Sequence, residues 1–202
     1  MMNLLTEIRP TNPGWRWLLV ASALLALAIG GCGKQSKSVS ALTAELTDPD
    51  PKVRYHAAKG LEAYGTAAKP AVPALAGALQ DEDGEVRYRA AKALSKVKVG
   101  LEPAVPALAN ALADEDHEVR YYVTKTLDDA GQEVGPAVRA IIAALEKEKD
   151  ANIRYYLVKS LKNAGTEAKP AVSLLQKLTQ DAEENVRQAA GDALATIKRK
   201  TP

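Results

Sequence analysis

An arginine that returns at a nearly fixed interval constrains this chain more than any other feature. Arg54, Arg87, Arg120, Arg154 and Arg187 each follow a Val or Ile, at successive spacings of 33, 33, 34 and 33 residues. A unit of that length holds one pair of short helices and one apolar flank, which only a neighbouring copy can cover. The expected fold is therefore all-α: a superhelical solenoid of five helix-pair units, approximately 37–69, 70–102, 103–135, 136–169 and 170–202. Composition supports closely stacked helices. Hydrophobic residues make up 47% of the chain but aromatics only 4%, with no Phe, so Ala, Leu and Val must fill the layers.

Each unit shows the same internal order. Pro70-Ala71-Val72-Pro73-Ala74-Leu75 returns at Pro103–Leu108, and in altered form at Pro136–Ile141 and Pro170–Leu175. Prolines of this kind are expected in a first helical turn, where N–H groups have no helical acceptor. Val72, Leu75 and Leu79 then form one apolar stripe, as do Val39, Leu42 and Leu46 in the first unit. A second helix follows an acidic turn, with Val86, Ala90, Leu94 and Val97 on one side. Asp50, Asp83, Asp116 and Asp150, and Glu183 in the fifth unit, stand three before the Val or Ile and are expected to cap these helices. Gly65, Gly131 and Gly165 suit left-handed helix ends. The second unit has Lys98 there and Gly100 two residues on, so its linker should bend differently. The extra residue of the fourth unit falls between Leu145 and Ile153.

A proline-rich helix start, an Asp before the turn, then Val-Arg, Ala and Leu together resemble the HEAT repeat, particularly the short bacterial type grouped with phycobilisome-lyase repeats. The resemblance covers residues 37–202. It implies a scaffold that binds a protein or peptide partner along the concave face formed by the second helices. It also implies structural hydrogen bonds between repeats made by the recurring Asp and Arg. Carried onto this chain, these are Asp48 with Arg54, Asp81 with Arg87, Asp114 with Arg120 and Asp181 with Arg187. The fourth unit departs from the pattern. Glu148 replaces Asp ahead of Arg154, which puts that rung in question.

Six of the seven tyrosines follow the repeated Arg: Tyr55, Tyr88, Tyr121 and Tyr155 directly, and Tyr122 and Tyr156 one residue later. His56 and Arg89 hold that later position in the first two units. Lys59, Lys92, Lys125 and Lys159 stand four residues beyond the first column. An i, i+4 step puts each Tyr and Lys on one helix face, about 200° from the buried Val or Ile. Stacked in register, these residues with Arg89 form a candidate partner-binding ridge of aromatics beside cations, suited to a segment carrying carboxylates. The alternative is that the rings pack between layers while the lysines are merely solvated. The ridge stops at the fifth unit, where Gln188, Ala189 and Asp192 replace its members.

Catalysis finds few reagents. The chain has two histidines, His56 and His117, and a single cysteine, Cys32. Neither a zinc-ligand spacing nor a nucleophile beside a base occurs, and no cofactor is implied. A formal net charge of +2, from 27 basic and 25 acidic residues, argues against nucleic acid as partner. A chromophore-handling lyase is an alternative that rests on the repeat resemblance alone; a passive envelope spacer is another.

The apolar run Trp17–Ile29 follows Arg9 and Arg16 and is shorter than the roughly 20 residues a spanning helix needs. It closes in Ile29-Gly30-Gly31-Cys32, which resembles the lipobox of bacterial lipoproteins. The resemblance implies that residues 1–31 are a signal peptide, that Cys32 carries lipid, and that residues 32–36 are a tether. A lipid-anchored place on the bacterial cell envelope follows, with the outer membrane favoured because Gly33 and not Asp comes after the cysteine. An uncleaved membrane anchor with an incidental cysteine is the alternative.

Overall fold

The computed structural model describes residues 37–199, so the lipobox, Cys32 and the tether lie outside the described residues. Within them the chain forms ten α-helices in five pairs, with no strand. The first helices of the pairs are α1 (Val39–Glu45), α3 (Val72–Ala78), α5 (Val105–Ala111), α7 (Val138–Leu145) and α9 (Val172–Leu178). The second helices are α2 (Pro51–Tyr64), α4 (Gly84–Val97), α6 (His117–Asp129), α8 (Ala151–Ala164) and α10 (Glu184–Arg199).

Short-range chemistry sets the ends of these helices. Asp50 accepts from Lys52 N at 2.9 Å, and Asp83, Asp116 and Asp150 cap α4, α6 and α8 in the same way. Glu183 makes no such bond; Val186 N turns to the Asn185 side chain at 2.8 Å instead. At the C-terminal ends, Gly65, Gly131 and Gly165 have φ of 52°, 61° and 59°. Lys98 takes φ 60° itself, a conformation L side chains rarely adopt, with Gly100 at 61° two residues later. The linker of that unit accordingly differs. A three-residue 3-10 turn, Glu102–Ala104, stands where Gly65–Ala71, Gly131–Ala137 and Gly165–Ala171 run to seven residues.

The prolines differ from expectation. Pro70, Pro103, Pro136 and Pro170 lie inside these 3-10 segments, whereas Pro51, Pro73 and Pro106 occupy a first α-helical turn. A φ near −65° fits both helix types, so the residue alone does not say where the α-helix begins.

Leu61, Leu75, Leu94, Leu108, Leu127, Ile141, Leu161 and Leu175 are wholly buried between the layers. Ala57, Ala58, Ala90, Ala91 and Ala93 are equally inaccessible, which lets the second helices approach closely. Packing along the stack runs chiefly through that layer, α2 on α4, α4 on α6, α6 on α8 and α8 on α10, whereas the first helices barely touch one another. The extra residue of the fourth unit is absorbed just after the last core leucine. Leu79, Leu112 and Leu145 keep a step of 33 residues, the following step from Asp116 to Asp150 is 34, and α7 has eight residues where its counterparts have seven.

Arginines lock the turns in a ladder, but not with the partners expected. Arg54 donates through Nε and Nη2 to both carboxylate oxygens of Asp81, each at 2.7 Å, and through Nη1 to the backbone carbonyls of Asp48 and Pro49 at 2.9 and 3.1 Å. Arg87 reaches Asp114 at 2.8 and 3.4 Å, and Arg154 reaches Asp181 at 2.9 and 2.8 Å. The side-chain pairs Asp48 with Arg54, Asp81 with Arg87, Asp114 with Arg120 and Asp181 with Arg187 are therefore corrected. Each acid gives its own unit's arginine only a backbone carbonyl; the carboxylates of Asp81, Asp114 and Asp181 serve the preceding unit's arginine, and that of Asp48, in the first unit, accepts from Asp50 N at 2.9 Å. The reason is geometric: an arginine six residues past the acid closes its own turn with one nitrogen, and its remaining edge points at the next layer.

The rung held in question, Glu148 with Arg154, does not form: Arg154 Nη1 donates to the Lys149 carbonyl at 2.7 Å. Glu148 serves the preceding unit instead, where Arg120 Nε donates to its Oε2 at 3.0 Å, the longer side chain compensating for the inserted residue with one bond where Arg54 and Arg154 make two. One carboxylate oxygen of each acid also accepts locally, as where Asp83 N donates to Asp81 Oδ1 at 2.9 Å. Arg154 holds the Asp181 carboxyl below the usual range. For Asp81, burial pushes upward but is outweighed by Arg54 and the Asp83 N–H, so it too is lowered. Glu148 is likewise lowered against its burial, by the Asp150 N–H and Arg120.

Candidate partner-binding face

The tyrosines of the second helices form a row. Tyr88 meets Tyr122 with ring centroids 5.9 Å apart, Tyr122 meets Tyr121 at 5.3 Å, Tyr121 meets Tyr156 at 6.1 Å and Tyr156 meets Tyr155 at 5.4 Å. Every contact is edge-to-face, the arrangement the ring quadrupole favours. A ring of the later column thus bridges back to the first-column ring of the unit before it, and the row runs unbroken from α4 to α8. Arg89 extends it to α2. Its guanidinium lies 4.9 Å from the Tyr55 ring centre and 5.1 Å from that of Tyr88, and donates to Glu62 at 3.3 Å. Its Nε is buried without a hydrogen-bond partner. Both readings of the tyrosines describe part of this geometry. The rings pack between units, yet all six stay half-buried, with one side open.

Three of the four lysines cover the row. Lys92 Nζ stands 5.6 Å from Tyr88 and 5.8 Å from Tyr122, and Lys125 Nζ stands 5.5 Å from Tyr121 and 6.0 Å from Tyr156. Lys159 lies 5.6 and 5.5 Å from Tyr155 and Tyr156. Lys59 is exposed and meets no ring. Burial pushes the Tyr122 and Tyr156 phenols up. The hydrogen bond to Tyr88 raises Lys92, and the one to Asp128 raises Lys159. At neutral pH Tyr122 and Tyr156 are therefore uncharged phenols beside the charged Lys92 and Lys159.

Two acidic residues of this face were not foreseen. Asp128 accepts from Lys159 at 2.6 Å and from Asn163 Nδ2 at 3.0 Å, and Glu62 lies 3.6 Å from Lys92. Both stand eight residues after the repeated Arg, where the second unit has Ser95 and the fourth Lys162, so the offset was readable but its partner lay one unit away. Past Tyr155, where the row ends, Lys159, Lys162, Asn163, Asn185 and Gln188 line a hollow of about 340 Å³. A larger open cleft of about 660 Å³ lies on the other layer between α5 and α7, lined by alanines such as Ala109, Ala140 and Ala144 together with Arg120, Lys147 and Glu148, two of which already form a rung of the ladder. Among the described residues no three His, Cys, Asp or Glu side chains could share a metal ion, and no helix is long and apolar enough to cross a membrane.

Comparison with curated protein sequences gives no significant match. Among solved structures, an engineered protein is similar over 80% of this chain and 79% of its own, at 26% identity and a TM-score of 0.66. The complex of CpcE and CpcF of phycocyanin lyase from Nostoc sp. PCC7120 is similar over 85% and 68%, at 26% identity and a TM-score of 0.64. A designed armadillo repeat protein in complex with the peptide (KR)4 shares the fold over 93% and 95%, at 19% identity and a TM-score of 0.68. The sequence profile of HEAT repeats matches residues 39–128 and 138–202. With that profile spanning most of its length and paired helices stacked in five layers, the chain belongs to the HEAT-repeat family.

Proposed function

We propose that this protein is a scaffold that binds a protein or peptide partner along its second-helix face, held to a bacterial envelope membrane by lipid on Cys32. One observation carries the binding part: an unbroken, half-open row of tyrosines beneath lysines that stay charged. Tyrosine supplies contact area at small entropic cost, and a cation beside it supplies direction, the composition of an energetically dense binding surface. A designed relative of this fold holds a peptide, which supports the class of ligand and not its sequence. The anchor rests on Ile29-Gly30-Gly31-Cys32.

Replacing Tyr88, Tyr121 and Tyr155 together by Ser tests the face. Crosslinking in native cells should lose the partner while the helical circular dichroism persists; unchanged crosslinking by a folded variant removes the ridge. Labelled palmitate should enter the wild type and not Cys32→Ser, and equal incorporation refutes the anchor. A second reading, a lyase acting on a phycocyanin-type protein, is favoured by the likeness to the CpcE and CpcF complex. A change in the absorption spectrum of phycocyanin on incubation with the protein would support it.

A further inference from the structure

The four lysines of the ridge are not equivalent, and the difference has a period of two units. Lys92 and Lys159, in the second and fourth units, are each neutralised by an acid of the preceding unit, Glu62 at 3.6 Å and Asp128 at 2.6 Å. Lys59 and Lys125, in the first and third, have no carboxylate within ion-pairing distance among the described residues. Asp129, one turn beyond Lys125, is within electrostatic reach of it but forms no ion pair. Glu85 and Glu118 stand in the first turns of α4 and α6, where they complement the helix dipoles. Two ammonium groups without a direct ion pair therefore flank a stretch of rings whose own cations, Arg89 and Lys92, share Glu62.

We infer that the partner segment is extended and carries two carboxylate side chains about six residues apart, one for Lys59 and one for Lys125, with uncharged residues between them over Tyr88, Tyr122 and Tyr121. The spacing follows from packing geometry. Neighbouring helices lie about 8–10 Å apart, so two units span roughly 16–20 Å. An extended chain covers that in about five or six residues at roughly 3.3 Å each. Side chains alternate along such a chain, so only an even separation turns both carboxylates toward the same face. A third acid midway along would meet Lys92, whose charge Glu62 already answers. This inference rests on the proposed peptide-binding role and sharpens its chemistry.

Selection of random twelve-residue peptides, displayed on phage, against the full-length chain in detergent micelles tests it. Enriched sequences should carry Asp or Glu pairs at a separation of six. In a synthetic peptide built from them, changing either acid to its amide should weaken binding about fivefold, the size of one solvent-exposed ion pair. Lys59→Gln and Lys125→Gln should each abolish the preference for one acid without changing Tm, while Lys92→Gln should leave both preferences intact. Enrichment of neutral or basic peptides, acid pairs at odd or random separations, or a Lys125→Gln variant that keeps both preferences overturns the inference and leaves peptide binding standing. No enrichment above background would overturn both.

Discussion

The arginine ladder and the tyrosine row are both built from contacts between one unit and the next, yet they differ in how much they vary. Four rungs keep one chemistry, guanidinium to carboxylate, even across an inserted residue where Glu148 takes the place of Asp. The row varies from unit to unit: His56, then Arg89, then Tyr122 and Tyr156 hold the same position, with acids beside alternate lysines. A rung sits at the tightest point of the stack, its acid's side chain only 7% to 8% exposed, so any gap leaves a desolvated charge unanswered. The row lies half in solvent, where substitution costs little stability and the surface is open to vary with a ligand. The ladder therefore sets the spacing of the units, and the row uses that spacing.

Acid should separate the two regions most strongly. Asp81, Asp181 and Glu148 have folded pKa values below their ordinary ones, so the stability they contribute is complete above the unfolded-state values of about 4 and is lost as pH falls through the lower folded values. Thermal unfolding followed by circular dichroism should be flat from about pH 7 to 5 and should collapse below about pH 4 as the rungs break together. The ring-to-ring contacts of the row involve no carboxylate and should not contribute. The next largest effect should come from Arg154→Ala. It strands the buried Asp181 carboxylate and should cost about 3 kcal/mol in a denaturant titration. Tyr88→Ala and Tyr122→Ala should couple in a double-mutant cycle by about 1 kcal/mol, the worth of one edge-to-face pair. Smallest of all, Arg187→Ala should cost under about 1 kcal/mol, since Arg187 bonds only the carbonyls of Asp181 and Ala182 and answers no carboxylate. An Arg187→Ala cost equal to that of Arg154→Ala would show that turn closure, and not the inter-unit pair, is what the arginines contribute.

Much of the fold was legible because its causes are local. Capping by Asp50, Asp83, Asp116 and Asp150 depends on residues two or three positions away, and the left-handed helix ends depend on single glycines. The positions of Pro70, Pro136 and Pro170 were misread because a proline's φ serves a 3-10 turn and an α-helical turn equally well. On the candidate face, the Tyr and Lys columns could be placed by helix arithmetic. Glu62 and Asp128 were missed because each answers a lysine on a different helix, about 30 residues away along the chain.

Sequence alone determined the unit, its length, its two helices and which flank of each is apolar, because those follow from spacing within a single turn or hairpin. Only the tertiary structure decided which neighbour each side chain serves: that Arg54 reaches forward to Asp81 and not back to the Asp48 carboxylate, and that Lys125 forms no ion pair while Lys159 is given one. A repeat places the same residue at the same point of every layer, so spacing cannot distinguish a contact within a unit from one between units. The distance between layers and the reach of each side chain make that choice.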